Sequence, residues 1–390
     1  MTGTARLAAF SHDVIVIGAG PAGASAAMTA ARAGLKVALV DKSRFPRDKL
    51  CGGGLTGRAI RHHGRIFDLP EPQVPHETRT EIQFHAFGRD LGSDDGAPPL
   101  RFIMRRDFDT ALVARALAAG AEDRTGCPGR IVTGDHGRVV WQMAQGQLTA
   151  PLCIAADGVN SPVARHLFGK AFDHRQIGFA LEVECPDLRD RPLRIDFGAV
   201  DWGYGWQFPK TTGTTIGVGG VLCRNRDMKT ALARYLDLLG IAAAPAPKGQ
   251  FLPFGAFRRV PGQGRILLAG DAAGLVDPIT GEGIAHAMDS GDMAARAVAD
   301  ALARGGPDMA LPAYTRALWP IHSGLRQAGW LRNILFRKPL RPAFVRSFRT
   351  SRTLRSAYLD LLAGEIDYDA LMLKTLQRLP GFAWRSLSGT

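Results

Sequence analysis

The chain changes hydrophobic rhythm twice. Asp13-Val14-Ile15-Val16-Ile17 is an uninterrupted apolar run of strand length, which predicts a strand buried on both faces. Gly18-Ala19-Gly20-Pro21-Ala22-Gly23 follows, and then Ala24 to Ala33, an alanine-rich helix ended by Gly34. A second apolar run, Leu35 to Val40, closes on Asp41. Phe102 to Met104 is short and apolar, and Arg105-Arg106-Asp107-Phe108-Asp109 opens another alanine-rich helix that stops at Gly120. Ile131 to Thr133, Val139 to Met143 and Pro151 to Ala155 predict successive strands, the last feeding Asp157-Gly158. Between Gly178 and Val221 the period becomes two: Phe179 to Glu184, Leu193 to Phe197 and Thr214 to Val221 predict an antiparallel sheet, with Met228 to Leu239 as an amphipathic helix beside it. Arg265 to Asp271 then returns to the buried-strand style, and Gly283 to Arg304 reads as a long helix of small residues.

That return predicts an interrupted α/β domain, residues 11–75, 101–170 and 262–310, with a sheet domain, 76–100 and 171–261, inserted in it. Phe45 to Ile60 is rich in glycine and charge, and the Pro-rich stretch Asp68 to Glu81 reads as loop. Residues 311–390 read as helical, cut by Pro320, Pro339 and Pro342.

Composition adds three constraints. With 390 residues, 46% of them hydrophobic, the chain can fill an enzyme-sized core. Cys51, Cys127, Cys153, Cys185 and Cys223 contain no C-x-x-C pair, which suggests neither a metal site nor a disulfide framework and fits a reducing, cytoplasmic setting. Leu7 to Phe10 is too short an apolar stretch for a signal peptide, and no window has the length of a membrane span. The net charge of +13 is concentrated: nine Arg or Lys and no acid lie between Arg326 and Arg355. Trp330, Leu331, Leu335 and Phe336 interleave with them, which favours an anionic membrane surface over a nucleic acid, for which no binding module is present.

The glycine run carries the first chemistry. Gly18 permits a tight turn, Gly20 lets the backbone approach a pyrophosphate, and Gly23 lets helix and strand pack closely. The helix N-terminus offers free N–H groups to an anion, and Asp41, about 20 residues on, offers a carboxylate to a ribose. This unit binds a dinucleotide, NAD or FAD. Ala269-Gly270-Asp271 decides for FAD, because a carboxylate at the end of a late strand suits ribityl hydroxyls.

These segments resemble the flavoprotein group that includes para-hydroxybenzoate hydroxylase, geranylgeranyl reductases and flavin-dependent halogenases: the fingerprint, Asp157-Gly158, and Gly270-Asp271 followed by Pro278 and Gly281-Glu282-Gly283-Ile284 occur in order over roughly residues 12–300. The resemblance implies an α/β fold with a Rossmann-like FAD-binding domain of glutathione-reductase type, an inserted antiparallel-sheet substrate domain and a C-terminal helical region. It implies that Gly18, Gly20, Ala22, Gly23, Asp41, Lys42, Cys51, Gly52, Gly54, Asp157, Asp271, Gly281, Gly283 and Ile284 bind the cofactor, together with Arg105 or its neighbour Arg106. Within the group, Lys49-Leu50-Cys51-Gly52-Gly53-Gly54 and Tyr204-Gly205-Trp206-Gln207-Phe208-Pro209 are similar to two motifs of the geranylgeranyl reductases. The halogenase motif instead needs Trp and Ile where Tyr204 and Phe208 stand.

The branch implies reduction of an isolated C=C bond in an isoprenoid chain. Such an alkene has no carbonyl to take up charge, so protonation of one carbon must accompany hydride delivery to the other. Tyr204 and Trp206, on alternate strand positions with Phe208, would stabilise the developing cation by about 0.5–2 kcal/mol each. Tyr204, Trp206, Phe208 and Pro209 would line the substrate, and Cys51 or an ordered water would give the proton. Arg337, Lys338 and Arg341 would meet a diphosphate or phospholipid head group, or the whole basic set an inner-face bilayer. The electron donor is NADPH or a ferredoxin-type protein, and a hydroxylase on the same cofactor is the alternative activity.

Overall fold

The computed structural model describes residues 10–133 and 137–376, so the expectations for residues 1–9 and 377–390 lie outside the described residues. The first apolar run forms the strand Val14–Ile17 at the centre of a six-stranded sheet. Its parallel neighbours are Val37–Asp41 and Leu152–Ala155, then Glu122–Thr125 on one side and Ile266–Leu268 on the other, with Gly262–Gln263 antiparallel at the edge. Every residue of Val14–Ile17, Val37–Asp41 and Leu152–Ala155 is buried, which is why these strands read as continuous apolar runs. The helix Pro21–Arg32 packs on this sheet and against Ile284–Ala303. A β-carbon on Gly291 would overlap the Ala22 carbonyl, so small residues set how closely these two helices approach.

The period-two region builds a seven-stranded sheet, in spatial order Lys248–Leu252, Gly178–Cys185, Gly213–Val221, Gly203–Lys210, Arg194–Phe197, Ile82–Ala86 and Arg89–Asp94. All its pairs are antiparallel except Arg194–Phe197 with Ile82–Ala86. One face is covered by the helix Met228–Leu238, whose Met228, Leu232 and Tyr235 pack on Leu181, Val183, Ile216 and Val218. On the opposite face, Phe84 and Phe197 pack on Phe348 and Tyr358 of the C-terminal helices Arg341–Thr350 and Arg352–Ala363. The rest of that face turns toward the six-stranded sheet, and the site lies there.

Asp68–Glu81 departs from the loop expectation, because His76–Arg79 is a strand paired with Leu100–Ile103. It is a polar edge strand with no buried residue, so its sequence carries no alternation. Glu122–Thr125 is another polar edge strand of the same kind. Pro320 and Pro342 sit at the second position of Trp319–Phe336 and Arg341–Thr350, where a missing N–H costs nothing, and Pro339 lies in the short turn between them.

Candidate functional site

Three features of the glycine turn make a cradle. Gly18 adopts φ +94°, and a β-carbon there would collide with the backbone of Ala156 and Asp157. A β-carbon on Gly23 would overlap the Gly18 carbonyl, so the helix can start here only with glycine. Gly20 differs: its missing β-carbon would meet only the Arg47 guanidinium, at 3.6 Å, leaving the backbone open on that side. Asp41 is held at the turn, its Oδ2 accepting the Ala19 N–H at 2.8 Å and its Oδ1 the Ser43 N–H at 2.8 Å. Lys42 lies near Asp157 and counters the rise in its pKa caused by burial. Asp157 accepts the Val163 N–H at 3.1 Å at the start of the helix Pro162–Phe168, while its Oδ1 is buried without a hydrogen-bond partner among the described residues.

Farther along the crevice, the Asp271 carboxylate accepts no protein hydrogen bond among the described residues, its carbonyl taking the Gly274 N–H at 3.0 Å; burial raises the carboxyl pKa, and Lys49 and Arg105 pull it back. An open glycine, an orphaned carboxylate oxygen and a carboxylate with no protein donor fit a polar cofactor lying along the ends of the parallel strands. Gly281 at φ +72° and Gly283, the residue capping Ile284–Ala303, bring backbone to the same end, with Ile284 buried behind them. The 277–283 loop is tied down by Asp277, which accepts the N–H groups of Ile279 and Thr280 and the Tyr368 hydroxyl at 2.7 Å.

Opposite this loop runs the aromatic row. Trp206 lies over Gly217 and Gly219 of the neighbouring strand: a β-carbon at Gly217 would stand 2.7 Å from Cε2 of its indole. Its Nε1 is buried without a hydrogen-bond partner among the described residues. Tyr204 and Phe208 flank it with ring centroids at 5.9 and 6.2 Å, and Tyr204 donates to the Thr280 carbonyl at 3.1 Å. Burial pushes the Tyr204 hydroxyl well up, so it stays protonated. Pro209 follows Phe208 on the strand, and alternation places it on the opposite face from the row.

Cys51 stands beneath this wall. A β-carbon at Gly52 would come within 2.9 Å of the Phe208 ring, so only glycine lets the turn seat there, and Gly54 begins the short strand that pairs with Leu100–Ile103. The Gly53 N–H donates to the Cys51 Sγ at 3.3 Å. Arg105 faces Cys51 and forms a bidentate pair with buried Asp109 at 2.7 and 2.9 Å, whereas Arg106 is exposed; the inward arginine is Arg105. Burial alone would lower the Arg105 pKa, but Asp109 and Cys51 outweigh it and hold the guanidinium charged.

Sequence reasoning missed three charged groups here. Glu182 is 2% exposed, accepts the Cys51 N–H at 3.0 Å, and is pushed up to about 7 by burial. Lys210 donates to the Gly52 carbonyl and to the Ile103 carbonyl at 2.8 Å, and burial brings it down to about 8. Lys49 is lowered by burial and by Arg105. For Glu182 and Lys210 the signal was charge inside a strand-forming segment; Lys49 stands at the head of the Lys49-to-Gly54 motif.

The basic stretch divides in two. Arg332, Arg341 and Arg355 are used internally, on the carbonyls of Phe254, Phe336 and Phe348. Arg326, Arg337, Lys338, Arg346, Arg349 and Arg352 are exposed, Arg326 lying over the Trp319 ring. Leu335 and Phe336 are core residues, while Trp319 and Trp330 are 60% and 55% exposed. No helix among the described residues is long and apolar enough to cross a membrane.

The protein-family model described as FAD dependent oxidoreductase matches residues 13–69. The chain is a flavoprotein oxidoreductase that uses FAD. It is 33% identical to a geranylgeranyl diphosphate reductase of Rhodobacter capsulatus, over 76% of this chain and 77% of that one. It is 32% identical to a digeranylgeranylglycerophospholipid reductase of Methanosarcina acetivorans, over 75% and 76%. The chain therefore belongs to the geranylgeranyl reductase family. A menaquinone reductase of Mycobacterium tuberculosis is 34% identical over 73% of this chain and 76% of its own length. In fold, a geranylgeranyl bacteriochlorophyll reductase-like protein of Thermoplasma acidophilum superposes with TM-score 0.69 at 23% identity, over 90% of this chain and 99% of that one.

Proposed function

We propose that this enzyme reduces isolated C=C bonds of an isoprenoid chain. The observation that supports this most is the row Tyr204, Trp206 and Phe208, laid over a floor of Gly217 and Gly219 and facing the Cys51 turn. An apolar, aromatic wall suits a substrate with no polar handle at its reacting carbons. In this reading residues 11–75, 101–170 and 262–310 bind FAD, residues 76–100 and 171–261 hold the substrate, and residues 311–390 form a helical region beside them.

Gly18, Gly20, Ala22 and Gly23 receive the pyrophosphate, Asp41 and Lys42 the adenosine side, and Asp157 and Asp271 the remaining hydroxyls and phosphate. Cys51, Gly52, Gly54, Arg105, Gly281, Gly283 and Ile284 border the ring. When bound and reduced, FAD supplies the hydride. The faces of Trp206 and Tyr204 stabilise positive charge at the tertiary carbon, and the Cys51 thiol or an ordered water holds the proton for the other carbon. NADPH or a ferredoxin-type protein brings the electrons. Exposed Trp319 and Trp330, with the exposed Arg337 and Lys338 of the same basic stretch, rest the enzyme on an anionic bilayer where prenyl lipids reside.

The test is anaerobic. Dithionite-reduced enzyme is mixed with a polyprenyl lipid, and flavin absorbance and product mass are followed. Reoxidation without oxygen, with a gain of two mass units per bond, is expected. Reoxidation only on admitting oxygen, with an oxygen atom in the product, would establish the hydroxylase instead.

A further inference from the structure

Two buried charged side chains, Glu182 and Lys210, spend their hydrogen bonds on backbone amide groups of one short turn. Glu182 lies on Gly178–Cys185 and Lys210 ends Gly203–Lys210, the two strands that flank Gly213–Val221. Glu182 accepts from the Cys51 N–H, while Lys210 donates to the carbonyl of the next residue, Gly52, and bridges it to Ile103. The turn has no slack between them. Gly53 adopts φ +65°, and a β-carbon there would overlap both the Ile103 carbonyl and the Lys210 Nζ. Gly52 is stopped by the Phe208 ring.

Backbone groups can be satisfied by neutral amides at far lower cost than by a buried carboxylate and a buried ammonium. Such costly placements concentrate where a site must hold a geometry. We propose that Glu182 and Lys210 are positioning residues, a two-point clamp that fixes the Cys51–Gly53 backbone against the aromatic wall and so sets where the Cys51 thiol stands relative to the substrate. The clamp rests on the reading that Cys51 borders the reacting carbons, but its own test needs no turnover.

The clamp is tight only while both groups are charged, because a hydrogen bond to an ionised partner is the stronger one. Glu182 is faced by Lys210, Glu184, Lys49 and the Cys51 N–H, with Lys248 opposite it on the adjoining strand; Lys210 is faced by Cys51, Glu182, Glu184 and Arg105. Burial moves both groups toward neutrality, so the clamp loosens on either side of a window near pH 7–8.

The readout is alkylation of Cys51 by iodoacetamide in the purified flavoprotein between pH 6 and 9, expressed as a ratio to exposed Cys223 in the same sample and measured by peptide mass spectrometry. Glu182→Ala is expected to raise the ratio about tenfold at pH 7.5, since a hydrogen bond to a charged group is lost. Glu182→Gln, which keeps an acceptor oxygen but is neutral at every pH, is expected to show at pH 7.5 the raised ratio that the wild type shows below pH 7, and to abolish the change there. Lys210→Met is expected to raise the ratio and remove the change above pH 8. If Glu182→Ala does not fold, the Gln and Met variants decide. Ratios within twofold of wild type throughout the pH range, in the variants that fold, would overturn the clamp while leaving the anaerobic alkene test untouched.

Discussion

Replacing Gly281 by alanine perturbs the contact between the aromatic row and the loop proposed to face the flavin, and the structure assigns the cost to two separable terms. Gly281 sits at φ +72°, so any β-carbon there carries a left-handed backbone penalty of about 1–2 kcal/mol. The new methyl would also overlap the Tyr204 hydroxyl, an overpacking cost of about 1–3 kcal/mol. Gly281→Ala is therefore expected to lose about 2–5 kcal/mol in total. Tyr204→Phe alone removes one hydrogen bond, to the Thr280 carbonyl at 3.1 Å, for about 1 kcal/mol. In the double variant the nearest ring atom, Cζ, stands 3.4 Å from the methyl, an ordinary contact. Only the backbone term and the lost hydrogen bond then remain, about 2–3 kcal/mol, so the pair should fall short of additivity by the relieved overpacking, roughly 1–3 kcal/mol. Urea unfolding of the four flavoproteins measures this cycle. Additive losses, within about 0.5 kcal/mol, would refute the collision and with it the close seating of Tyr204 on the 277–283 loop.

Three further outcomes follow from the same coordinates. Gly217→Ala puts a methyl 2.7 Å from the Leu181 carbonyl and into overlap with the Trp206 indole, so isoprenoid turnover should fall at least tenfold and stability by about 1–3 kcal/mol; unchanged kinetics would show that the indole does not need its glycine floor. Glu282, which accepts from the Thr56 hydroxyl, is pushed up to about 7 by burial, above its ordinary 4.5. A carboxyl raised in the folded state contributes stability below its unfolded pKa and loses it as pH rises through about 7, so Glu282→Gln should raise the melting temperature relative to wild type at pH 8 and not at pH 4.5, as thermal melts would record. Arg337→Glu combined with Lys338→Glu should weaken co-sedimentation with anionic vesicles, by about fivefold or more per charge lost, with no change on neutral vesicles; equal binding to both would remove the basic face from the account.

What could be read in advance was what lies close together along the chain. Gly18 to Gly23, Asp41 and Gly270-Asp271 declare themselves because each is a strand end followed at once by its turn, and the turn's geometry demands particular residues. The Asp68–Glu81 expectation failed at His76–Arg79 for the converse reason, since a polar edge strand paired through its backbone with Leu100–Ile103 leaves no pattern in its side chains. Glu182 was hidden more deeply. In Phe179 to Glu184 it occupies the polar phase of an alternating segment, which ordinarily turns toward water. Here the polar phase faces the six-stranded half of the molecule, and the carboxylate is enclosed by a turn 131 residues away in sequence. Gly217 and Gly219 show the same limit from the other side, because their spacing marks an unusual strand while the reason for it, the Trp206 indole, belongs to another strand. The cofactor's cradle is thus encoded locally, whereas the proposed reacting face is assembled where two sheets meet. Residues such as Glu182 and Lys210 acquire their chemistry only from that meeting, since burial, rather than any neighbour in sequence, brings both close to neutrality.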